Sequence, residues 1–265
     1  MPKKIKKNKV IEIENLTVGY NDVVVLKNIS FSISEGEIFI VLGGSGCGKS
    51  TLLKNIIGLY EPMAGSVKIM NSSLHDCTEQ EQIDVLRKFG VTYQEGALFG
   101  SMTLAENIAL PLEEFTDLSK KEIAGIVEKK LELVDLGGFG EYMPGELSGG
   151  MKKRAGVARA LALEPDILFF DEPSAGLDPI TSADLDSLIR RLRDNLGTTI
   201  MIVSHELDSI FSIADRVVLL DKKSKGIIAE GTPYDLLENS KDPYVIEFLS
   251  RKGMKRENII NRSGD

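Results

Sequence analysis

One run of eight residues constrains this chain more than any other feature: Gly43-Gly44-Ser45-Gly46-Cys47-Gly48-Lys49-Ser50. It matches the pattern G-x-x-x-x-G-K-[ST]. Residues 37–42 before it are apolar and β-branched, which predicts a buried strand, and residues 51–57 after it predict a helix. A chance match is expected about once per hundred chains of this length, and the flanking strand and helix lower that frequency. The sequence therefore predicts an α/β protein organised around a phosphate-binding loop.

The residue types of this loop account for its chemistry. Glycines let successive backbone N–H groups turn inward as a nest for phosphate oxygens. The N-terminus of the following helix adds partial positive charge. Lys49 supplies a mobile full charge for the outer phosphates, and the Ser50 hydroxyl is a ligand for the Mg²⁺ that accompanies them. The loop therefore predicts nucleotide binding.

The composition argues against several classes of protein. The formal net charge of −8 disfavours a general nucleic-acid binder, because such proteins show a basic footprint. No apolar run approaches 18 residues, and the N-terminus lacks the apolar core of a secretory signal. The two cysteines and two histidines form neither a disulfide framework nor a zinc site. We expect a reduced, cytoplasmic protein with one large α/β domain, or one with a small subdomain.

Lysines dominate residues 1–9, which we predict to be a flexible start of the chain. One interpretation is a solvated, disordered segment. The alternative is attraction to anionic lipid head groups, worth about 1 kcal/mol for each lysine near the surface. At the other end, residues 241–265 predict a C-terminal helix and a polar, mobile tail.

Two acidic residues follow a second buried strand. The apolar residues 167–170 carry Asp171 and Glu172 to the carboxyl end of that strand, where open α/β sheets bind their ligands. Asp171 fits the acidic residue that holds Mg²⁺ in phosphate-loop NTPases, and Glu172 is placed to polarise a water. His205 stands just past the next buried strand, at the same edge. It is either a structural histidine or a donor to a γ-phosphate.

Two further segments are candidates for nucleotide contacts. Ser148 is a natural N-cap, and Gly149 and Gly150 after it would allow an anion to approach the helix N-terminus closely. The alternative is an ordinary glycine-rich helix start. Tyr20 lies at a strand end ahead of the phosphate loop. Its ring is either a stacking surface for a purine or a packed surface tyrosine.

Apolar periodicity predicts two more helices. A helix over residues 79–89 would turn Ile83 and Leu86 inward. A helix over residues 181–196 would turn a row of leucines inward, Leu196 included.

An insertion is predicted between two strands of the sheet. Ser119 opens a helix with a capping box, and the loop that contains Phe99 is unusually apolar. We predict a helical subdomain over about residues 95–160. The apolar loop is either covered by the fold or part of an interface.

In this order and spacing, the phosphate loop, the Leu147-Ser148-Gly149-Gly150 helix start and the strand over 167–171 resemble the ATP-binding-cassette (ABC) ATPases. The resemblance extends over about residues 10–235. It implies an ABC domain at residues 10–240, with a mainly parallel RecA-like core sheet, an antiparallel β edge and an inserted α-helical subdomain. The implied cofactors are ATP and Mg²⁺.

The same resemblance implies roles for individual residues. Glu172 would be the catalytic base, Gln94 would contact Mg²⁺ and the attacking water, and His205 would sense the γ-phosphate. The implied metal contacts are Ser50, Gln94 and Asp171. The implied ATP contacts are Tyr20, Gly43, Gly44, Ser45, Gly46, Cys47, Gly48, Lys49, Ser50, Thr51, Ser148, Gly149, Gly150 and Asp178.

One departure from the family pattern narrows the subgroup. The signature usually ends in glutamine, and here it ends in Met151. Together with residues 93–99 and 106–112, this ending is similar to the Mla/Mce-type lipid transporter ATPases. That resemblance implies a peripheral protein on the cytoplasmic face of the inner membrane, driving phospholipid transport between membranes. The implied partners are an integral-membrane permease, an Mce-domain lipid-binding protein and a STAS-domain subunit.

The chain carries one phosphate loop and one signature helix. In the ABC family each ATP is sandwiched between the loop of one chain and the signature helix of another. The resemblance therefore implies a homodimer that forms on ATP binding.

Three alternatives remain beside lipid transport. The first is another ABC importer, for example of amino acids, against which Met151 and the Gly96-Ala97-Leu98-Phe99 loop argue. The second is an ABC ATPase without a permease. DNA-repair and translation types usually carry a second cassette, a zinc module or a long coiled coil, which the sequence does not show, whereas a cluster-assembly factor stays open. The third is a scaffold that binds ATP without turnover, against which Glu172 and His205 argue.

Overall fold

The computed structural model describes residues 8–74 and 77–250, and these form two β-sheets and nine α-helices. In chain order the strands are β1 (Lys9–Tyr20), β2 (Val23–Ser34), β3 (Ile38–Gly43), β4 (Ala64–Ile69), β5 (Ser72–Ser73), β6 (Phe89–Thr92), β7 (Ile167–Asp171), β8 (Thr199–Ser204), β9 (Arg216–Asp221) and β10 (Gly226–Gly231). The helices are α1 (Lys49–Ile56), α2 (Glu79–Leu86), α3 (Leu104–Phe115), α4 (Lys120–Leu133), α5 (Gly149–Ala160), α6 (Pro179–Leu196), α7 (Leu207–Ile213), α8 (Pro233–Asn239) and α9 (Pro243–Ser250).

A six-stranded sheet in the order β10-β9-β3-β8-β7-β6 forms the centre of the fold. Its strands from β9 to β6 are parallel, and β10 pairs antiparallel with β9. Strands β3 and β8 are buried along their whole length, as expected for a parallel sheet that is covered on both faces. The predicted mainly parallel core sheet is confirmed.

The two faces of this sheet belong to two separate hydrophobic cores, because successive strand residues point to opposite sides. From β3, Ile38, Ile40 and Leu42 pack with the helices from α3 to α7. Phe39 and Val41 pack on the other face with α1 and the antiparallel sheet, whose order is β2-β1-β4-β5. The loop after β3 is therefore held from both sides.

Helices α3, α4 and α5 lie between β6 and β7 along the chain. Thr103 and Ser119 cap α3 and α4. The hydroxyl of each accepts from the backbone N–H of the glutamate three residues later, and that glutamate's carboxylate accepts from the N–H of the capping residue. Each capping box satisfies two backbone donors that a helix start would otherwise leave unpaired. The helical subdomain limits of about 95–160, like the domain limits of 10–240, stay predictions.

Two leucines that we expected inward face outward. Helix α2 ends at Leu86, which is exposed, and the buried residue of this helix is Val85. Phe89 begins β6 instead of ending the helix. Leu196 is 51% exposed because it ends α6 beside an open cavity of 1510 Å³ at the amino edge of the sheet. The apolar periodicity of a helix does not show where that helix extends beyond the element it packs against.

The ends of the chain are only partly described. Lys9 already belongs to β1, where it pairs with Ser34, so the predicted flexible start does not extend to it. The other four lysines of that stretch and the predicted tail from residue 251 lie outside the described residues. Within the described residues, no helix combines the length and the apolar character that a bilayer crossing needs.

Candidate active site

Strand ends bring the predicted site residues to one edge of the parallel sheet. Asp171 at the end of β7 is in register with Val203 of β8, and Ser204 of β8 is in register with Leu42 of β3. Ligands of open α/β sheets bind beyond the carboxyl ends of such strands. The segments that follow these strands and β6 carry the phosphate loop, Glu172, His205 and Gln94.

Two positions of the phosphate loop require glycine, because neighbouring atoms lie too close to leave room for a Cβ. A Cβ at Gly43 would lie 2.4 Å from Cys47 Sγ and 2.9 Å from the Leu220 carbonyl oxygen. Gly48 has φ +104°, and a Cβ there would lie 2.7 Å from Val25 Cγ1. Cys47 is buried under the loop, and burial raises the pKa of its thiol although the Lys49 charge acts in the opposite direction. The thiol therefore fills space under the loop as a small neutral group.

Lys49 folds back over the loop. Its ammonium Nζ donates to the Gly43 carbonyl at 2.9 Å and lies 3.3 Å from Glu172 Oε1. The side chain is buried. A buried ammonium needs such partners, since an unpaired charge away from water is costly. The loop lysine and the candidate catalytic carboxylate thus contact each other directly.

Ser50 and Asp171 meet across the sheet edge. The Ser50 hydroxyl donates to Asp171 Oδ1 at 3.0 Å. Burial raises the pKa of Asp171, and the hydrogen bond from Ser50 and the nearby lysine charges act against that rise. Two oxygen ligands held at this distance from each other, one of them a carboxylate, form a donor set that suits a hard divalent cation.

Glu172 has an unusual backbone. Its φ is +48°, which non-glycine residues rarely adopt, and its N–H donates to the Val203 carbonyl at 2.9 Å. The carboxylate Oε2 lies 2.8 Å from His205 Nδ1, and the imidazole itself is half exposed. Glu172 is therefore aimed between Lys49 and His205.

Tyr20 stands over the first turn of α1. Its hydroxyl and that of Thr51 are 2.7 Å apart, and its ring meets the Tyr60 ring edge to face at 5.5 Å between centroids. The Tyr20 ring is 43% exposed. An oriented and accessible aromatic face next to the phosphate loop suits a purine.

The start of α5 does not join this cluster within one chain. The Ser148 hydroxyl accepts from the Met151 N–H at 3.2 Å as the N-cap. A Cβ at Gly150 would lie 2.5 Å from Thr181 Cγ2, so this turn packs against the start of α6. Among the described residues, no hydrogen bond or ion pair connects Ser148, Gly149 or Gly150 to the phosphate loop.

Asp178 and Gln94 occupy two other turns. Asp178 caps α6 and accepts from the Ile180 and Thr181 N–H groups, and the hydrogen bonds from Thr181 lower the pKa of its carboxyl. Gln94 lies in the exposed turn after β6. Among the described residues its side chain makes no hydrogen bond with Ser50 or Asp171, so its predicted metal contact stays a prediction.

Comparisons with known proteins agree with this geometry. The sequence profile described as "ABC transporter" matches residues 26–175. The "Intermembrane phospholipid transport system ATP-binding protein MlaF" of Haemophilus influenzae is 41% identical over 241 residues, which covers 91% of this chain and 90% of that protein. This chain belongs to the ABC transporter family.

A second group of relatives belongs to the same family. The "Probable ribonucleotide transport ATP-binding protein mkl" of Mycobacterium leprae is 41% identical over 91% of this chain. The chain spans 68% of that protein's length, and 66% of the length of its Mycobacterium tuberculosis counterpart.

Solved ABC structures share the fold. The dimeric post-hydrolysis state of the cassette MJ0796, bound to ADP and Pi, aligns with a TM-score of 0.75 at 30% identity, over 84% of this chain and 98% of that one. The cbiO1 protein of Clostridium perfringens aligns with a TM-score of 0.80 at 26% identity, over 97% of this chain and all of that one. The predicted ABC ATPase fold, and the ATPase activity that belongs to it, are therefore confirmed.

The residues of this ABC ATPase also fit the divalent cation that accompanies a nucleotide. Ser50 and Asp171 are the two ligands that this chain would supply, because their oxygens already face each other. Mg²⁺ commonly takes one or two protein ligands and completes its shell with phosphate oxygens and water. The described residues contain no group of three or more His, Cys, Asp or Glu side chains suited to a metal.

Two residues that the sequence motifs do not include also support this site. Arg159 on α5 donates to the Ala97 carbonyl at 2.7 Å, and buried Asn107 accepts from the Phe99 N–H at 2.8 Å and donates to the Phe99 carbonyl at 3.1 Å. Both hold the apolar loop after Gln94. The sequence signal that Asn107 offers is a polar residue at the spacing of the apolar face of α3.

Proposed function

We propose that this chain is the ATP-hydrolysing subunit of a transporter that moves phospholipid between membranes, and that it works as a homodimer. The observation that carries the substrate class is the match to the MlaF protein of Haemophilus influenzae. At 41% identity it extends over 91% of this chain and 90% of that protein. The similarity therefore includes the segments outside the ATP site.

Ribonucleotide transport is the second candidate function, because the mycobacterial relatives match this chain at the same 41% identity as the MlaF protein. Their match leaves about a third of their own length uncovered, whereas the MlaF match leaves a tenth. The near-complete correspondence favours phospholipid. Another ABC importer and a cluster-assembly ATPase are the further alternatives.

The homodimer is supported by the position of the α5 start. Gly149 and Gly150 lie beside Leu177 and Thr181 of their own chain, not beside their own phosphate loop. A helix N-terminus with two glycines is a ready anion site. In the proposed dimer, the α5 start of one copy faces the nucleotide held by the loop of the other. The MJ0796 cassette is dimeric in its ADP- and Pi-bound state.

The residues at the sheet edge bind and orient the nucleotide. The loop N–H groups and Lys49 contact the phosphates, Tyr20 stacks on the adenine, and Asp178 lies beside the α5 start at the dimer interface. Ser50 and Asp171 would hold Mg²⁺, which would neutralise phosphate charge. Lys49 must exchange the Gly43 carbonyl and Glu172 for phosphate oxygens as the nucleotide binds.

Glu172 and His205 then act on the water that attacks the γ-phosphate. Glu172 accepts a hydrogen bond from the water and takes up its proton as the water attacks. His205, whose Nδ1 lies 2.8 Å from Glu172, donates a hydrogen bond to the phosphate. Closing the dimer excludes bulk water, and electrostatic contacts strengthen in the drier site. Hydrolysis removes the bridging charge, and the dimer opens.

Motion reaches the membrane through the loop around Phe99. The Phe99 side chain is 51% exposed while its backbone is held by Asn107, so an apolar group is presented on a fixed support. We propose that an integral-membrane permease binds there, with this chain on the cytoplasmic face of the inner membrane. An Mce-domain lipid-binding protein and a STAS-domain subunit complete the proposed complex.

Purification of the tagged chain from its native membranes tests this function. We expect an integral-membrane permease and bound phospholipid to co-purify, and ATP-dependent transfer of fluorescent phospholipid after reconstitution in vesicles. The Phe99→Ala variant should no longer co-purify with the permease, whereas the ATPase activity of the isolated chain should be unchanged. The matched control is Leu196→Ala, which removes a residue of equal exposure at the opposite edge of the sheet.

Two outcomes would count against the proposal. A complex that carries no phospholipid and moves a ribonucleotide instead would transfer the function to the second candidate. Normal permease recovery with Phe99→Ala would remove the coupling role of that loop, since the two variants would then behave alike.

A further inference from the structure

Lys153 connects helix α5 to the turn that follows Glu172. Its ammonium Nζ donates to the Pro173 carbonyl at 2.6 Å and to the Ala175 carbonyl at 2.5 Å. The turn also closes on itself, because the Ala175 N–H donates to the Glu172 carbonyl at 3.2 Å. One side chain from a distant helix thus binds two of the three backbone carbonyls that follow the candidate catalytic residue.

This turn needs an external support. Glu172 combines φ +48° with a following proline, and a residue before proline is restricted mainly to extended conformations. Such a backbone persists only where its surroundings over-determine it. Two contacts from outside the turn do so here: the Val203 carbonyl accepts from the Glu172 N–H, and Lys153 binds the two carbonyls beyond it.

The surroundings of Lys153 leave little room for a water that could replace its ammonium. A small cavity of about 10 Å³ is bordered by Lys153, Pro173 and Tyr93, at the lower limit of the space that holds one water. Burial lowers the pKa of Lys153, while the charges of Glu95 and Glu172 act to raise it. A side chain of similar length without donors would therefore leave the two carbonyls without partners.

Helix α5 is itself fixed by further contacts. The Arg159 guanidinium binds the Ala97 carbonyl, and a Cβ at Gly156 would lie 3.0 Å from the Gly96 carbonyl oxygen. The helix is thus packed directly on the loop after Gln94. Lys153 projects from a supported element, so it can impose a position on the turn.

We propose that Lys153 is a positioning residue for ATP hydrolysis: it holds the backbone of the Glu172 turn so that the carboxylate points at the attacking water. The inference rests on the proposed role of Glu172 as the base. Lys153 touches no phosphate in this arrangement, and its effect is on the rate of the chemical step rather than on ATP binding.

The test compares Lys153→Met with Lys152→Met. Both remove a lysine from the same helix, and among the described residues the Lys152 side chain makes no hydrogen bond or ion pair. We expect kcat to fall about 10- to 100-fold in Lys153→Met, since misplacing a reacting group by about 1 Å has costs of this size. KM for ATP should match that of Lys152→Met. Lys153→Arg should recover most of the rate, because a guanidinium can donate to both carbonyls.

Equal kcat in Lys153→Met and Lys152→Met would overturn the proposal, and so would a raised KM with unchanged kcat. If Lys153→Met fails to fold, Lys153→Gln provides one amide donor group and should give an intermediate kcat. A folded Lys153→Gln protein with full kcat would equally overturn it.

A double variant separates this inference from the role of Glu172. If Lys153 acts through Glu172, Lys153→Met should slow the Glu172→Gln protein no further, because effects of residues that act together are not additive. Additive losses would contradict the inference. A Glu172→Gln protein with wild-type kcat would instead remove the proposed base, whatever Lys153→Met does.

Discussion

The carboxylate of Glu172 lies between two nitrogens, Lys49 Nζ at 3.3 Å and His205 Nδ1 at 2.8 Å. The three residues come from three different segments of the chain, which follow β3, β7 and β8. The lysine that we propose to bind the phosphates and the carboxylate that we propose as the base are therefore in contact. Binding of phosphate by Lys49 and release of Glu172 toward water are consequently linked events in the proposed mechanism.

Lys49→Ala should weaken ATP binding by about 10- to 100-fold, the loss expected for one charge-assisted hydrogen bond. Isothermal titration with ATP and Mg²⁺ measures this directly. The control is Lys68→Ala, which removes an exposed lysine from β4 in the antiparallel sheet. An affinity equal to that of the control would refute the phosphate role of Lys49.

Glu172→Gln should lower kcat by about 100- to 1,000-fold, because an amide cannot take up the proton of the attacking water. ATP binding should persist, and the protein should accumulate as a dimer when ATP is present, which light scattering after size exclusion detects. Glu164→Gln removes an exposed carboxylate at the opposite edge and should behave as wild type. A Glu172→Gln protein that stays monomeric with bound ATP would contradict the sandwich.

Asp186→Asn should change how stability depends on pH. Asp186 is 5% exposed, and burial raises the pKa of its carboxyl to about 6, while hydrogen bonding to Ser209 and the Arg190 charge act to lower it and Asp208 acts to raise it. Folding thus favours the protonated acid. The contribution of this group to stability is full below its ordinary pKa near 4 and is lost as pH rises through about 6.

Urea unfolding of wild type and Asp186→Asn at pH 5 and pH 7.5 measures this contribution. Relative to the variant, wild type should lose about 1 kcal/mol over that interval, since one pKa unit is worth about 1.4 kcal/mol. Using the difference between the two proteins cancels the titration of other groups. Parallel pH curves would show that Asp186 titrates normally.

Two glycine substitutions should have opposite effects on the free energy of unfolding. A Cβ at Gly90 in β6 would lie 2.2 Å from the Ala160 carbonyl oxygen, whereas one at Gly125 in α4 would meet nothing within 4 Å. We expect Gly90→Ala to destabilise by about 1–3 kcal/mol through overpacking. Gly125→Ala should stabilise by about 0.5–1 kcal/mol, because alanine favours a helix interior. Equal effects in thermal unfolding would contradict the close packing of β6 on α5.

The sequence by itself determined which segments carry chemistry and to which edge of the sheet they are delivered. The phosphate loop, the acidic pair at the end of β7 and the histidine after β8 each follow an apolar run, and a parallel sheet places such ends together. These are local features of a few consecutive residues. Short sequence patterns specify them, and residues far away along the chain are not needed.

Only the tertiary structure decided which side chains touch. Ser50 reaches Asp171 across 121 positions of sequence, and Lys153 supports the turn after Glu172 from another helix. The tertiary structure also leaves the Leu196 side chain exposed, although its spacing along α6 predicted burial. Periodicity records the angle of a side chain around its own helix, whereas contact and burial depend on where neighbouring elements end and how closely they pack.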